Sequence, residues 1–118
     1  MKKHKTIEVH HESGRVEIDA EIYPLIEYFW ERGWDTACSC QGDCAEGEQA
    51  YITFTLLAYA ERALNALHEA LLTLKDEDFT VALNTWYWYD GGGIVGQILI
   101  SPPGRLSELV EALRKLHG

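Results

Sequence analysis

The residues best suited to metal or redox chemistry are three cysteines, Cys38, Cys40 and Cys44, which lie within seven positions of one another. Cys38 and Cys40 are two residues apart in a stretch with strand-like alternation, so their side chains should share one face. Three thiolates and one histidine can hold zinc tetrahedrally, and His10 or His11 could supply the fourth ligand. The spacing differs from the common Cys-x2-Cys knuckle, however. We therefore predict no metal and no other cofactor, and interpret Cys38 and Cys40 as small buried strand residues.

Zinc binding by the three cysteines and a local Cys40–Cys44 disulfide remain alternatives to that interpretation. A nucleophilic cysteine needs a nearby base and a lowered pKa, whereas acidic residues surround this cluster at positions 35, 43, 46 and 48. The chain also lacks a phosphate-binding Gly-rich motif and the spacing of a Ser-His-Asp triad. We therefore predict a protein that is not an enzyme.

The segment 79–89 predicts an aromatic surface on one side of a sheet. Its odd positions are mostly apolar and should lie under helices, whereas its even positions include Asn84, Trp86 and Trp88. If helices cover only one face, Trp86 and Trp88 lie together on the other. Two adjacent exposed tryptophans indicate a subunit interface or a ligand platform. A second buried core on that face is the remaining alternative.

Cationic side chains are scarce in this chain, so each is a candidate for binding an anion. Arg105 follows Ser101-Pro102-Pro103-Gly104 at the start of the last predicted helix, where free backbone N–H groups favour phosphate or carboxylate. The alternative is that Ser101 caps this helix and Arg105 is a solvated first-turn residue. The predicted ligand-binding set comprises Asn84, Trp86 and Trp88 for a base and Arg105 and Arg62 for phosphates.

Composition limits the possible partners. The 118 residues include 10 Lys and Arg against 19 Asp and Glu, for a formal charge of −9, which argues against direct nucleic-acid binding. Ten carboxylates and only two arginines lie between Glu12 and Glu48. This acidic segment could instead mimic DNA and block a nucleic-acid-binding protein, or it could be a solvated surface.

The same arithmetic predicts one domain, residues 1–118, in a reducing cytoplasm. The length suits a single domain, and three cysteines make a poor disulfide framework. No apolar run approaches the 18 residues of a membrane span. The basic start, Met1 to Lys5, has no apolar stretch after it, so we expect no secretion signal.

Periodicity predicts the elements that position these residues. Alternating segments 6–10 and 16–18 predict a hairpin, and apolar spacing from Ile22 predicts a helix with Asp19 as cap, Pro24 near its start and Gly33 at its end. Strands are predicted at 34–40 and 50–57, a long helix up to Leu74, two strands at 79–89 and 94–101 joined by a glycine turn, and a final helix. The order ββαββαββα predicts an α+β fold, with about six mostly antiparallel strands and helices packed on one face.

One segment resembles a known group of proteins. Trp34-Asp35-Thr36-Ala37-Cys38-Ser39-Cys40-Gln41-Gly42 follows a helix that ends in Gly33 and precedes the strand Ala50-Tyr51-Ile52-Thr53-Phe54. This order resembles small bacterial and phage proteins, among them the phage anti-Thoeris sponges. The resemblance implies a six-stranded antiparallel sheet, assembly into oligomers, and sequestration of cyclic nucleotides without cleavage in the host cytoplasm. It assigns no ligand-binding residue.

These observations predict a non-catalytic homo-oligomer that sequesters a small anionic ligand of the cyclic-nucleotide class. An acidic DNA mimic and a cysteine-based zinc protein are the alternatives.

Overall fold

The computed structural model describes residues 5–12, 14–42, 48–88 and 93–117. The predicted α+β fold and the order ββαββαββα are confirmed. No helix in these ranges combines the length and apolar character needed to cross a membrane. The elements are β1 Thr6–His11, β2 Gly14–Asp19, α1 Tyr23–Glu31, β3 Thr36–Cys40, β4 Ala50–Phe54, α2 Leu57–Leu74, β5 Thr80–Trp88, β6 Gly93–Ser101, a short 3-10 turn Pro103–Arg105 and α3 Leu106–His117.

The strands form two antiparallel sheets, which corrects the prediction of one continuous six-stranded sheet. β1 pairs only with β2, and the larger sheet has the order β3-β4-β6-β5. Side chains, not a strand ladder, connect the hairpin to β3. The Gln41 backbone N–H donates to Asp19 Oδ2 at 3.0 Å, and the Glu21 N–H donates to Gln41 Oε1 at 3.0 Å. These polar side chains bind backbone N–H groups just beyond the ends of β2 and β3.

Strand alternation places one face of the larger sheet under the helices, as predicted. Alternate residues of β4 and β6, among them Ile52, Phe54, Ile98 and Ile100, are fully buried in the main core. Helix α2 lies directly on β6. A Cβ at Gly96 would stand 2.5 Å from the Ala60 Cβ, so glycine at this position permits the close approach.

Helices α1 and α3 complete the layer on this face. The rings of Phe29 in α1 and Phe54 in β4 are 5.5 Å apart, and α3 buries Leu109 and Leu113. Pro24 lies in the first turn of α1, as predicted, and Gly33 follows the helix with a φ of 80°.

The predicted cap of α1 is wrong. The N-cap position is Ile22, and no side chain hydrogen bonds to it. Asp19 lies too early in the chain, and its carboxylate accepts the Gln41 N–H instead. The predicted glycine turn between β5 and β6 lies largely outside the described residues, although the two strands pair from Trp88↔Gly93 to Thr80↔Ser101.

Candidate functional site

Cys38 and Cys40 lie on the sheet face that points away from the helices. They pair with Thr53 and Tyr51 of β4, and Cys38 is exposed while Cys40 is half-buried. The prediction that both are buried is therefore wrong, because β3 is an edge strand and the helices pack on the opposite face. Burial raises the pKa of the Cys40 thiol, and nearby Asp19 and Glu48 act in the same direction. This thiol stays protonated at neutral pH.

Asn84 and Trp86 share the face that carries the cysteines. Asn84 is exposed, whereas Trp86 is half-buried opposite Val95, which is only 9 % exposed. The side chain of Trp88 lies outside the description, although its position ends the same strand. Among the described elements, no helix packs on this face. The second-core alternative therefore has no covering layer there.

Arg105 is held by two carboxylates. Its guanidinium donates to Asp76 Oδ2 at 2.5 Å and to both carboxylate oxygens of Glu108 at 2.6 and 2.7 Å, and it lies over the Phe79 ring. Arg105 lowers the pKa of Asp76 and of Glu108. An anionic ligand here would have to displace a carboxylate. Ser101 does not cap the following turn, and Arg105 is half-buried, so the alternative of a solvated first-turn residue is also wrong.

The five predicted ligand residues do not meet in one pocket of a single chain. Arg105 follows the Thr80↔Ser101 end of the β5–β6 ladder, whereas Trp86 lies six residues away along β5, about 20 Å at strand spacing. Arg62 belongs to α2, in the helical layer. Asn84 and Trp86 therefore share a surface that excludes both arginines.

Arg62 lies instead in an open cleft of about 700 Å³ between α1, α2 and the end of α3. Helical spacing brings the lining residues together, since positions three and four apart share a helix face. Trp34 follows α1, and His117 ends α3. The lining residues are Tyr28, Glu31, Arg32, Trp34, Arg62, Asn65, Ala66, Glu69 and His117.

Arg32 is fixed in this cleft mainly by neutral groups. Nη1 donates to the Tyr28 carbonyl oxygen at 2.9 Å, Nη2 donates to the His117 carbonyl oxygen at 3.2 Å, and the guanidinium carbon lies 3.4 Å from the centre of the Tyr28 ring. Glu31 Oε1 lies 3.8 Å from Arg32 Nη1. Arg62 is exposed, and within the described chain no carboxylate lies within 4.0 Å of it.

Other side chains already contact the two carboxylates of the cleft. Arg114 bonds to Glu31 and lowers the pKa of that carboxyl group. Glu69 Oε2 lies 2.9 Å from His117 Nε2. The positive charges of Arg32 and Arg62 are therefore only weakly neutralised inside a strongly acidic protein.

The Tyr28 hydroxyl is the unsatisfied polar group of this site. Tyr28 is fully buried, and its oxygen has no hydrogen-bond partner among the described residues. Burial raises the pKa of this hydroxyl, despite the opposing effect of Arg32 and Arg114, so it keeps its proton. Buried polar groups are nearly always paired. Because this oxygen has no surface open to the cleft, a ligand could reach it only if neighbouring side chains moved.

Sequence reasoning identified Arg62 but missed the rest of the cleft. Tyr28 and Arg32 lie in the segment predicted as the first helix and Asn65 in the second, and the apolar spacing of these helices gives the three residues no functional role. The available signal was the polar spacing on each helix, because Tyr28 and Arg32 are four apart and Arg62 and Asn65 are three apart. Nothing in the sequence shows that these two polar stripes face each other.

Only one group in the described chain places three metal-binding atoms close together. It comprises His11, Glu12 and Asp35, whose ligand atoms lie within 4.8 Å of one another. His11 Nε2 is 2.8 Å from Asp35 Oδ1, and its ring stacks on Trp30 at 3.7 Å. His11 is thus engaged by Asp35. Cys38 and Cys40 belong to no such group in the described ranges, and Cys44 lies outside them.

Several carboxylates of the acidic segment make internal contacts. Asp19 and Asp35 bond to Gln41 and His11, and Glu27 and Glu31 lie beside Arg114. A DNA mimic needs its carboxylates free and arrayed on one surface, and these four are committed to the fold.

Comparison with known proteins adds no family to this picture. No family model, no curated protein and no solved structure matches the chain. What the protein does must therefore be inferred from its own residues.

Proposed function

We propose that this protein is a non-catalytic binding protein that sequesters a small anionic ligand of the nucleotide class. The observation that carries the proposal is the cleft between α1, α2 and α3. It contains two arginines, while its two carboxylates are engaged by Arg114 and His117. A local cluster of cations can bind an anion in an acidic protein because charges are screened over about 8 Å at physiological salt.

The lining residues suit different parts of a nucleotide. Arg32 is already ordered by two carbonyl oxygens, so little conformational entropy is lost when it binds phosphate. Arg62 can close on the same phosphate from α2. Asn65 offers an amide for the polar edge of a base, and the half-buried Trp34 offers an aromatic surface. The volume lies within the ~300–1,000 Å³ of typical ligand pockets.

Sequestration without chemistry is the role implied by the resemblance to phage sponges. Under this proposal a cyclic nucleotide signal is the ligand, and the host-cell cytoplasm is the place of action. The protein would lower the free concentration of the signal, so its effect depends on binding affinity and protein abundance.

Titration calorimetry tests the proposal. The probes are cyclic ADP-ribose isomers, cyclic oligonucleotides and AMP. We expect at least one to bind with micromolar or better affinity, and Arg62→Ala to weaken that binding by about 10-fold or more through loss of a charge-assisted hydrogen bond. Arg15→Ala removes the same charge from the exposed hairpin and should leave affinity unchanged.

Two results would contradict the proposal. One is the absence of binding to every probe at protein concentrations of about 100 µM. The other is conversion of a bound probe into a product, which chromatography of the recovered ligand would reveal.

A further inference from the structure

The larger sheet has no formal charge. The chain contains 10 Lys and Arg and 19 Asp and Glu, yet none of these residues, and no histidine, belongs to β3, β4, β5 or β6. On the helix-covered face this is expected, because that face is the core. The opposite face has no covering helix among the described elements, and there the absence of charge needs an explanation.

The uncovered face is made of apolar and neutral polar side chains. Within it, Thr53 is 2 % exposed and Val95 is 9 % exposed. Gln97 donates to Thr53 within the face at 3.3 Å. We call this surface the neutral face; its described members are Cys38, Cys40, Tyr51, Thr53, Thr80, Ala82, Asn84, Trp86, Val95, Gln97, Leu99 and Ser101.

Solvent-facing sheets and sheet edges normally carry charged residues, which keep them from pairing with other chains. None of the residues that make up the neutral face is charged, although β3 and β5 are both edge strands. The carboxylates of Asp19 and Glu48 lie near Cys40 at the β3 edge of this face. A surface with this composition resembles the centre of a protein interface, which is depleted of charge and contains aromatic residues.

We propose that the neutral face binds a second copy of this chain, sheet against sheet, in a two-fold symmetric dimer. Charge identifies the occupant. Each copy carries −9, so two copies repel one another least where neither presents a charge. A basic partner would be attracted to the carboxylate-rich segment instead. Two sheets packed in this way lie about 10 Å apart.

The size of the face sets the expected affinity. Four strands cover about 19 Å in width, and the longest strand extends about 30 Å at 3.3 Å per residue. The flat footprint is thus roughly 500 Å², below the ~800 Å² per partner of a standard interface. We therefore expect a dimer that dissociates on dilution in the micromolar range.

Sedimentation velocity between about 5 and 200 µM tests the proposal. The wild type should move from monomer to dimer over this range. Dimerisation should strengthen when salt is raised, because salt screens the repulsion between the two acidic copies. An interface built on ion pairs would respond in the opposite direction.

Two substitutions place a charge on the neutral face. Trp86→Glu replaces a half-buried ring. Asn84→Glu changes an exposed side chain, so we expect this variant to fold. It keeps the test usable if Trp86→Glu does not fold. Each places a negative charge in the proposed interface of both copies and should weaken dimerisation by about 10-fold or more. The matched control is Ile94→Glu, which introduces the same charge on the opposite face, where Ile94 is 52 % exposed.

Three results would overturn the proposal: a monomer throughout the concentration range, a dimer that Asn84→Glu leaves intact, or a dimer that only Ile94→Glu disrupts. The proposal stands independently of the cleft. Asn84→Glu should leave the ligand affinity of the monomer unchanged, and Arg62→Ala should leave the dimer unchanged.

Discussion

Tyr28 combines complete burial with a hydroxyl group that has no described partner. Its ring supports Arg32, and Arg114 lies over the same ring at 5.2 Å. The fold therefore uses the ring to hold cations and gains nothing from the hydroxyl. An unpaired buried donor costs free energy until a partner arrives.

Replacing Tyr28 with Phe should test this cost directly. The ring and its contacts with Arg32 are kept, and the unpaired hydroxyl is removed, so we expect the free energy of unfolding to stay constant or rise by about 1 kcal/mol. Ligand affinity should stay unchanged, because the hydroxyl has no surface open to the cleft. Urea unfolding and calorimetry measure the two effects.

Tyr23→Phe is the control for this substitution, because the Tyr23 hydroxyl donates to Glu27 at 3.3 Å. Its removal should lower stability slightly. A loss of more than about 1 kcal/mol in Tyr28→Phe would mean that the hydroxyl has a stabilising partner in the free protein.

At the scale of elements, alternation and helical spacing were sufficient to predict most of the fold. They predicted both faces of β5, the position of Pro24, and the end of α1 at Gly33. Asp19 does not cap α1, because the helix begins after Ile22, and its carboxylate instead accepts a hydrogen bond from the backbone N–H of Gln41, 22 residues later. The division into two sheets was missed for the same reason, since long-range side-chain bonds leave no periodic signal.

Substitutions at three glycines distinguish the cost of a positive φ from the cost of a steric clash at the new Cβ atom. Gly14→Ala should change the free energy of unfolding by less than about 0.5 kcal/mol, because its Cβ would meet no atom within 4 Å. Gly33→Ala should cost about 1 kcal/mol from its φ of 80° alone. Gly42→Ala should cost about 2 kcal/mol or more, because a φ of 79° is combined with backbone atoms at 2.8 Å.

Urea unfolding of the three variants measures this series. Equal losses at positions 33 and 42 would contradict the close approach of residues 48–50 to Gly42.

At the scale of the whole molecule, the sequence could not predict the cleft. Arg32, Arg62 and His117 come from three helices that are distant along the chain, and only the packing of α1, α2 and α3 brings them together.

Arg105 illustrates the opposite error. Its position after Gly104 suggested an anion site, but Asp76, 29 residues earlier, occupies its guanidinium. The position of Asn84 and Trp86 on the uncovered face could be predicted, because the alternation of side chains along a strand depends only on the local sequence.

The side-chain connection between the β1–β2 hairpin and the rest of the protein has a consequence for amide hydrogen exchange. The hairpin forms its own ladder, and among its described residues Ile18 alone is buried, at 7 % exposure. Hydrogen bonds between His11 and Asp35 and between Asp19 and Gln41 connect it to the rest of the protein. It can therefore open without unfolding the larger sheet. Deuterium uptake measured by mass spectrometry should be faster in β1 and β2 than in β4 and β6, and equal protection of all four strands would mean that the two sheets unfold as one cooperative unit.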